Sequence, residues 1–496
     1  MLKMKTIIRL LLALMLVMSF ASCASDNTCD LPVENDNSKV FLSVSINVAG
    51  EDSKTTRADD DKTFEPTPFG GEKGNGDHKG ETYERAVSNM SMLFFHSDKT
   101  DLTDGETTID RVIYFPTVTP DGKRTLAVEV DPKFLKDTNL RFLVIANVGD
   151  LSDYRGRKLS EVRDQLITDV FKRTDDATFA KKGELSGFSA FVMSSRGQSS
   201  LTEKTGSGTK DDPYIFNHEI ERLAARIDIM PHVQRYKLDD KTHLCKYCYN
   251  VTQTTGTDII GGFVLEYVRP YNVLTSKEYV FRRTATDASL ANLKYLGLEE
   301  ADGNKQNTNY VVDPTSQDKS LASFNYPKNT NENWAKASYE SFYQTRDAGK
   351  THSYSSGSRA SDTKPYDPET AYYILDYVKE NTSFDNNEQY ATGLVFKGKY
   401  YEKSDWVVAT DAEIKAGGSS HPKDGAIGKD KAYTYVIRHS DPTGNGTTDD
   451  PMHYGIVRNN IYRVRIDGIT GKGPDGLKVT LNVRKWATYT HEETTM

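Results

Sequence analysis

The stretch Val40-Phe41-Leu42-Ser43-Val44-Ser45-Ile46-Asn47-Val48 is the most regular secondary-structure signal in the chain. Val40, Leu42, Val44, Ile46 and Val48 are apolar, and apart from Phe41 the residues between them are polar, so the segment alternates with period two. Successive side chains of a strand point to opposite faces, so this pattern predicts a β-strand with one face against a core. Val and Ile add to the signal, because β-branched side chains suit a pleated surface.

Immediately after it comes Gly50-Glu-Asp-Ser-Lys-Thr-Thr-Arg57-Ala58-Asp-Asp-Asp-Lys62, with almost nothing apolar. Such a stretch cannot bury itself and is expected to be an exposed, protease-accessible linker. Cutting after Arg57 would let the 40–48 strand leave its sheet. The alternative is a plain flexible tether, although a tether has no need of a regular amphipathic strand.

In the other direction, Lys3, Lys5 and Arg9 precede an apolar run from Leu10 to Phe20, followed by Ala21-Ser22-Cys23. The run is too short to span a bilayer and reads as a secretory signal peptide over 1–22. Cys directly after Ala-Ser is the pattern of a lipoprotein signal, with Cys23 as the lipidated first residue of the mature chain. An ordinary signal peptide with an incidental cysteine is the other reading. A lipid on Cys23 would anchor the chain to a membrane without crossing it.

Downstream, short β-branched or aromatic runs predict strands at 90–95, 111–115, 124–130 and 141–148, separated by turns such as Thr119-Pro120-Asp121-Gly122. Further strands are expected at 220–230, 262–268, 371–378, 392–401, 406–409, 432–438, 460–466 and 477–486. The one early helix is expected at 160–171, where Val162, Leu166, Val170 and Phe171 share a face. The fold class is therefore mostly β: two β-sandwich domains of transthyretin-like or Greek-key type, with few short helices. The organisation expected is a signal peptide at 1–22, a pro-segment at 23–57 containing the removable strand, an N-terminal sandwich at 58–217 and a C-terminal sandwich at 218–496. The polar stretch 301–364 is expected as a surface insertion of the second sandwich.

One internal echo is present. Gly206-Ser-Gly-Thr-Lys-Asp-Asp-Pro213 recurs as Gly444-Asn-Gly-Thr-Thr-Asp-Asp-Pro451, and each copy leads toward Arg-Ile-Asp, at 226–228 and 465–467. The spacing is not that of an EF-hand calcium loop. A turn that launches a strand explains it better, and the copies are expected as equivalent corners of two related domains.

At the far end, Leu477, Val479, Leu481 and Val483 repeat the alternation of the 40–48 strand, with Lys478, Thr480, Asn482 and Arg484 on the opposite face. If the N-terminal strand left, a second strand would have to fill the exposed groove, and this segment has the right period. Burying its four apolar side chains would contribute at most about 6–12 kcal/mol. A closing strand of its own domain is the alternative.

Composition narrows function. The net charge of −8 and the absence of a basic stripe argue against nucleic acid. With only Cys29, Cys245 and Cys248 after Cys23, disulfides cannot hold the fold together. His243, Cys245 and Cys248 could form half a zinc site, but no second ligand pair has metal-like spacing, so no metal is expected and a hairpin with two thiols or a local disulfide is preferred. No catalytic motif is convincing, and neither an enzyme nor a cofactor is expected. The ten histidines, among them His243, His352 and His453, are expected on surfaces. A rival class, a lipid-anchored glycan-binding protein, has a hint in the 28 tyrosines, clustered at Tyr354, Tyr366, Tyr372 and Tyr373.

Ile456-Val-Arg458-Asn459-Asn460-Ile461-Tyr462, followed by an alternating strand and Lys478-Val-Thr-Leu-Asn-Val-Arg-Lys-Trp486, resembles the C-terminal region of the Bacteroidales fimbrillins, most of all the shaft subunit of the short, type V fimbria. Glu221-Arg222-Leu-Ala-Ala-Arg226-Ile227 and Tyr377-Val-Lys-Glu380-Asn381-Thr382 resemble other recurring pieces of that family, whereas 301–364 has no match. The resemblance implies a lipoprotein precursor, lipidated at Cys23, held at the outer membrane and cut between Arg57 and Ala58 by an arginine-specific protease. Loss of the strand bearing Val40, Leu42, Val44, Ile46 and Val48 would then permit polymerisation by donor-strand exchange, with Leu477, Val479, Leu481 and Val483 as donor. The partners implied are copies of itself, accessory fimbrial subunits and a receptor on a host or bacterial surface. A shaft role is favoured, and a tip adhesin is the alternative that the polar insertion suggests.

Overall fold

The computed structural model describes residues 40–48, 84–98 (save 85), 106–117, 128–130, 139–173 (save 164–165), 188–200 (save 196–198), 206–230 (save 210), 248–285 (save 275–276), 294–295, 310–313 (save 312), 324–325, 373–381, 388–439 (save 416–418) and 453–485. The molecule is mostly β, as expected, with two short α-helices among the described residues, α1 (Leu159–Arg163) and α2 (Asp411–Lys415).

Eight strands form the first sheet: β1 (Val40–Val48), β2 (Met90–His96), β3 (Ile109–Phe115), β4 (Val128–Val130), β5 (Leu140–Ala146), β6 (Met193–Ser195), β7 (Ser199–Ser200) and β8 (Tyr214–Arg222). Their order is β3-β2-β5-β6-β8-β1-β4, with β7 also paired to β5. The central strands β2 and β5 are apolar on both faces because both are covered. Met92, Phe94, Phe142 and Val144 face one core with Phe216 and Ile220 of β8. Leu93, Phe95, Leu143 and Ile145 face another, closed by Leu159 and Val162 of α1 and by Val280 and Phe281. A strand buried on both sides loses the alternation that marks β1.

The second sheet contains β9 (Ala225–Met230), β10 (Cys248–Thr252), β11 (Ile259–Tyr271), β12 (Tyr373–Val378), β13 (Gly393–Glu402), β14 (Lys429–Val436), β15 (Asn460–Thr470) and β16 (Leu477–Lys485). Its order is β12-β9-β15-β10-β11-β13-β14, with β16 also paired to β15. Ile227, Phe263, Phe396, Tyr433, Tyr462 and Val464 lie in its core.

Several expectations need correction. The helix expected at 160–171 stops at Arg163, and Ile167–Thr168 instead pairs with Glu278–Tyr279. β-branched Ile167 and Thr168 favour the strand once a partner is present. The single strand expected at 220–230 is two, because fully buried Leu223 and Ala224 carry the chain from β8 in the first sheet to β9 in the second. This passage lies just after the division expected near residue 218. Both Arg-Ile-Asp triplets that the echo leads toward lie in the second sheet, on β9 and β15, which are parallel neighbours. The second turn, 444–451, lies outside the described residues. His218, His439 and His453 are buried, against the expectation for histidines, and the first two hydrogen-bond the hydroxyls of Ser195 and Tyr462 inside the cores.

Candidate assembly interface

β1 belongs with the body of the protein and sits inside the first sheet, not at its margin. It runs parallel to β8, from Leu42 opposite Tyr214 to Val48 opposite Ile220. On its other side it is antiparallel to β4, with Val40 opposite Val130 and Leu42 opposite Val128. The β1–β8 pairing is the one parallel ladder described in this sheet. Parallel neighbours require a long crossover, here about 170 residues between partners. The register sets Val44, Ile46 and Val48 opposite Phe216, His218 and Ile220, all three buried on the core face of β8.

The first copy of the echo builds the mouth of this slot. Gly206 and Gly208 adopt φ of 98° and 77°, backbone that L side chains rarely take. The Ser207 N–H donates to the Asp212 carboxylate at 2.9 Å, and the Thr209 hydroxyl accepts the Asp212 N–H at 3.0 Å. So tied, the turn offers the Gly208 carbonyl to the Phe41 N–H at 2.9 Å, before β8 begins at Tyr214. The turn-and-launch reading of this copy holds.

β16 closes its own sheet in this structure. It is antiparallel to β15 from Leu477 opposite Ile469 to Lys485 opposite Asn460, joined by a turn in which the Thr470 N–H donates to the Gly476 carbonyl at 2.6 Å. Leu481 is 1% exposed in the core, and Leu477 and Val479 pack against it. Val483 stands opposite Tyr462. Among the described pairings β16 has β15 as its sole neighbour, so it is an edge strand.

The three sequence pieces quoted for the family resemblance meet in space, at a buried junction between the sheets. Arg458 donates through Nε to the Glu380 carboxylate at 3.0 Å and through its terminal nitrogens to the Val280 and Tyr279 carbonyls at 3.0 and 2.9 Å. Asn381 pairs with Ile456 through backbone bonds, and the Tyr462 hydroxyl accepts the Val457 N–H at 2.8 Å. Asn459 takes a φ of 58°, a conformation Asn tolerates, and its N–H donates to the Ala224 carbonyl. Arg226 forks onto Asp228 at 2.8 and 2.9 Å and reaches Glu84 at 3.1 Å, while the Tyr377 hydroxyl donates to the same Glu84 carboxylate. Glu221 pairs with Arg282 at 2.6 Å.

Sequence reasoning had not singled out Glu84, Arg282 or Glu278 here. The Arg-x-Asp spacing was a usable signal, since residues two apart on a strand share a face. Burial disfavours charge on Arg458, but Glu380, Glu221 and Glu278 outweigh it and hold the guanidinium above its ordinary value. Burial, with Asp313 and Glu380 nearby, pushes the Glu278 carboxyl well up, and neither of its oxygens has a hydrogen-bond partner among the described residues.

Cys23, Arg57, Ala58, His243, His352, Cys245, Trp486, Tyr354, Tyr366 and Tyr372 lie outside the described residues. Tyr373 opens β12. Cys248 is disulfide-bonded, which removes it as a thiolate zinc ligand.

The family model described as major fimbrial subunit protein type IV, fimbrillin, C-terminal, matches residues 430–482, from β14 into β16. No curated protein matches the chain. Among solved structures, the chain is similar to a candidate cell-adhesion protein of Parabacteroides distasonis, with 15% identity over 91% of this chain and 99% of that one and a TM-score of 0.41. It is similar to a fimbrilin of Porphyromonas gingivalis, with 13% identity over 91% and 99% of the two chains and a TM-score of 0.36. It is also similar to the tip fimbrial protein Mfa3 of Porphyromonas gingivalis, with 13% identity over 82% and 96% and a TM-score of 0.34. The resemblance drawn from Ile456–Tyr462 and the terminal strand is thus met by the family model over residues 430–482.

Proposed function

We propose that the chain is a structural subunit of a surface fimbria, assembled by proteolysis-triggered donor-strand exchange. On this reading the precursor is anchored at the outer membrane through a lipid on Cys23 and cut between Arg57 and Ala58 by an arginine-specific protease. β1 then leaves, and β16 of a neighbouring subunit takes its place. The observation that carries the reading is the position of β1 between β8 and β4: its loss opens a slot with an unpaired backbone edge on each side. Such a slot drives strand addition, since each unpaired, desolvated backbone group is costly. β16 matches β1 in length, nine residues each, and in period. It has one ladder in its own chain and would gain two in the slot. Partners on this reading are further copies, accessory subunits and a surface receptor.

The seating of β16 in its own sheet favours a second reading, a tip or accessory adhesin, or a monomeric lipid-anchored glycan-binding protein that lends no strand. Cutting the purified chain at Arg57 separates them. Exchange expects multimers by gel filtration and filaments by electron microscopy, abolished by deleting 477–496 from a chain that still folds. A cut chain that stays monomeric at high concentration supports the second reading.

A further inference from the structure

We infer that the turn joining β15 to β16 is a fixed pivot: it stays clamped to the body through Gly471, Lys472 and Pro474 while β16 hinges away at Gly476. The inference deepens the strand-exchange reading, on which β16 leaves its sheet, by fixing where the donor arm begins.

The turn reads Gly471-Lys-Gly-Pro-Asp-Gly476. The Gly471 N–H donates to the Thr252 carbonyl of β10 at 2.7 Å, and the Pro474 carbonyl accepts the Thr434 N–H of β14 at 3.0 Å. From β14 the Tyr433 hydroxyl donates to the Gly471 carbonyl at 3.4 Å, and the Lys431 ammonium donates to the Lys472 carbonyl. On β13 the Glu402 carboxylate accepts the Lys472 ammonium at 2.8 Å, and the same ammonium lies 4.9 Å from the centre of the Tyr400 ring. Three strands thus hold the turn, and none of these bonds involves β16. The ion pair is exposed, so it contributes little by itself. Gly471 and Tyr433 are buried, and the backbone bonds beside them are the firmer part of the clamp.

β16 is held differently. Among the described pairings its ladder runs along β15 alone. It meets the turn at Gly476, whose carbonyl accepts the Thr470 N–H at 2.6 Å and whose N–H donates to the Gly473 carbonyl at 3.3 Å. An added Cβ at Gly476 would lie 2.1 Å from the Thr470 carbonyl oxygen, a backbone atom that moves only with β15. The seated strand therefore needs glycine at 476, and the closest approach of the two arms is the point at which they part. At Gly473 an added Cβ meets no described atom within 4 Å. Glycine also gives the widest choice of backbone angles, which a pivot requires. With the pivot at Gly476, the arm handed to a neighbour begins at Leu477, and its nine residues to Lys485 reach about 30 Å.

The test is residue-resolved amide hydrogen exchange by NMR on the uncut full chain. The amides of the β15–β16 ladder should exchange together, about 10-fold or more faster than those of Thr434 and Gly471, which open only with the body. Gly476→Ala should quicken the ladder amides by about 10-fold or more and leave Thr434 and Gly471 as they were, whereas Gly473→Ala should alter neither set. Thr434 and Gly471 exchanging at the ladder's rate would show the turn leaving with the strand and overturn the inference. So would an unchanged ladder in Gly476→Ala; should that variant fail to fold, the comparison within the native chain decides. A fixed pivot in a chain that forms no multimers after cutting at Arg57 would sink strand exchange and leave the pivot standing. Multimers from a chain whose turn opens with β16 would do the reverse.

Discussion

Arg222, Arg226, Arg458 and Arg463 are among the largest fully buried side chains described, and the first three serve the junction between the sheets. Burying a guanidinium is costly unless each donor is met, so such a junction is specific before it is stabilising. Glu84 illustrates this. Its carboxylate takes Arg226 and Tyr377, its backbone carbonyl accepts Arg222 Nε at 2.8 Å, and it is fully buried. Replacing Glu84 by Ala takes one of its carboxylate partners from Arg226, which keeps Asp228, and removes an acceptor of the buried Tyr377 hydroxyl. A loss of about 3–5 kcal/mol is expected, read from the urea midpoint of the uncut chain. A loss below about 1 kcal/mol would mean that Asp228 suffices. At this scale the sequence was half legible. The Arg226–Asp228 spacing and the pieces around Glu380 and Arg458 stood out, but Glu84 lies 142 residues from Arg226, and no local pattern joins them.

Strands were legible where apolar and polar residues alternate in the sequence, as in β1 and β16, and in runs dense in β-branched residues. They were illegible where polar residues carry the ladder. β10, Cys-Tyr-Asn-Val-Thr, was not expected, yet Val251 is fully buried and the strand bridges β11 and β15. The break after β8 was missed for the opposite reason: Leu223 and Ala224 are as apolar as the strands they separate, and only the change of sheet distinguishes them. The pattern of β16 could not choose between a closing strand and a donor, because both need the same alternation. Leu481→Ala in the uncut chain addresses that choice. A side chain 1% exposed should cost about 2–5 kcal/mol on truncation if β16 is firmly seated. A thermal or urea measurement showing less than about 1 kcal/mol would mean that the strand is already loosely held and available to a neighbour.

At the scale of the whole molecule, β1 and β16 sit in different sheets and play unequal parts: one has two neighbours, the other has one. Proposed exchange converts this asymmetry into direction, since an edge strand that gives up one ladder in its own chain gains two in the next. The exchange is therefore driven only while the slot is empty, and anything that fills the slot should stop it. A peptide spanning Leu477–Lys485, added to the chain cut at Arg57, should compete with the donor strand of other copies and shorten multimers toward capped monomers as its concentration rises. A scrambled peptide of the same composition lacks the alternation that places apolar residues on the core face of the slot, and it should have no effect. Multimers whose length ignores a saturating excess of the native peptide would show that growth proceeds through some other surface, and the slot between β8 and β4 would then have no part in assembly.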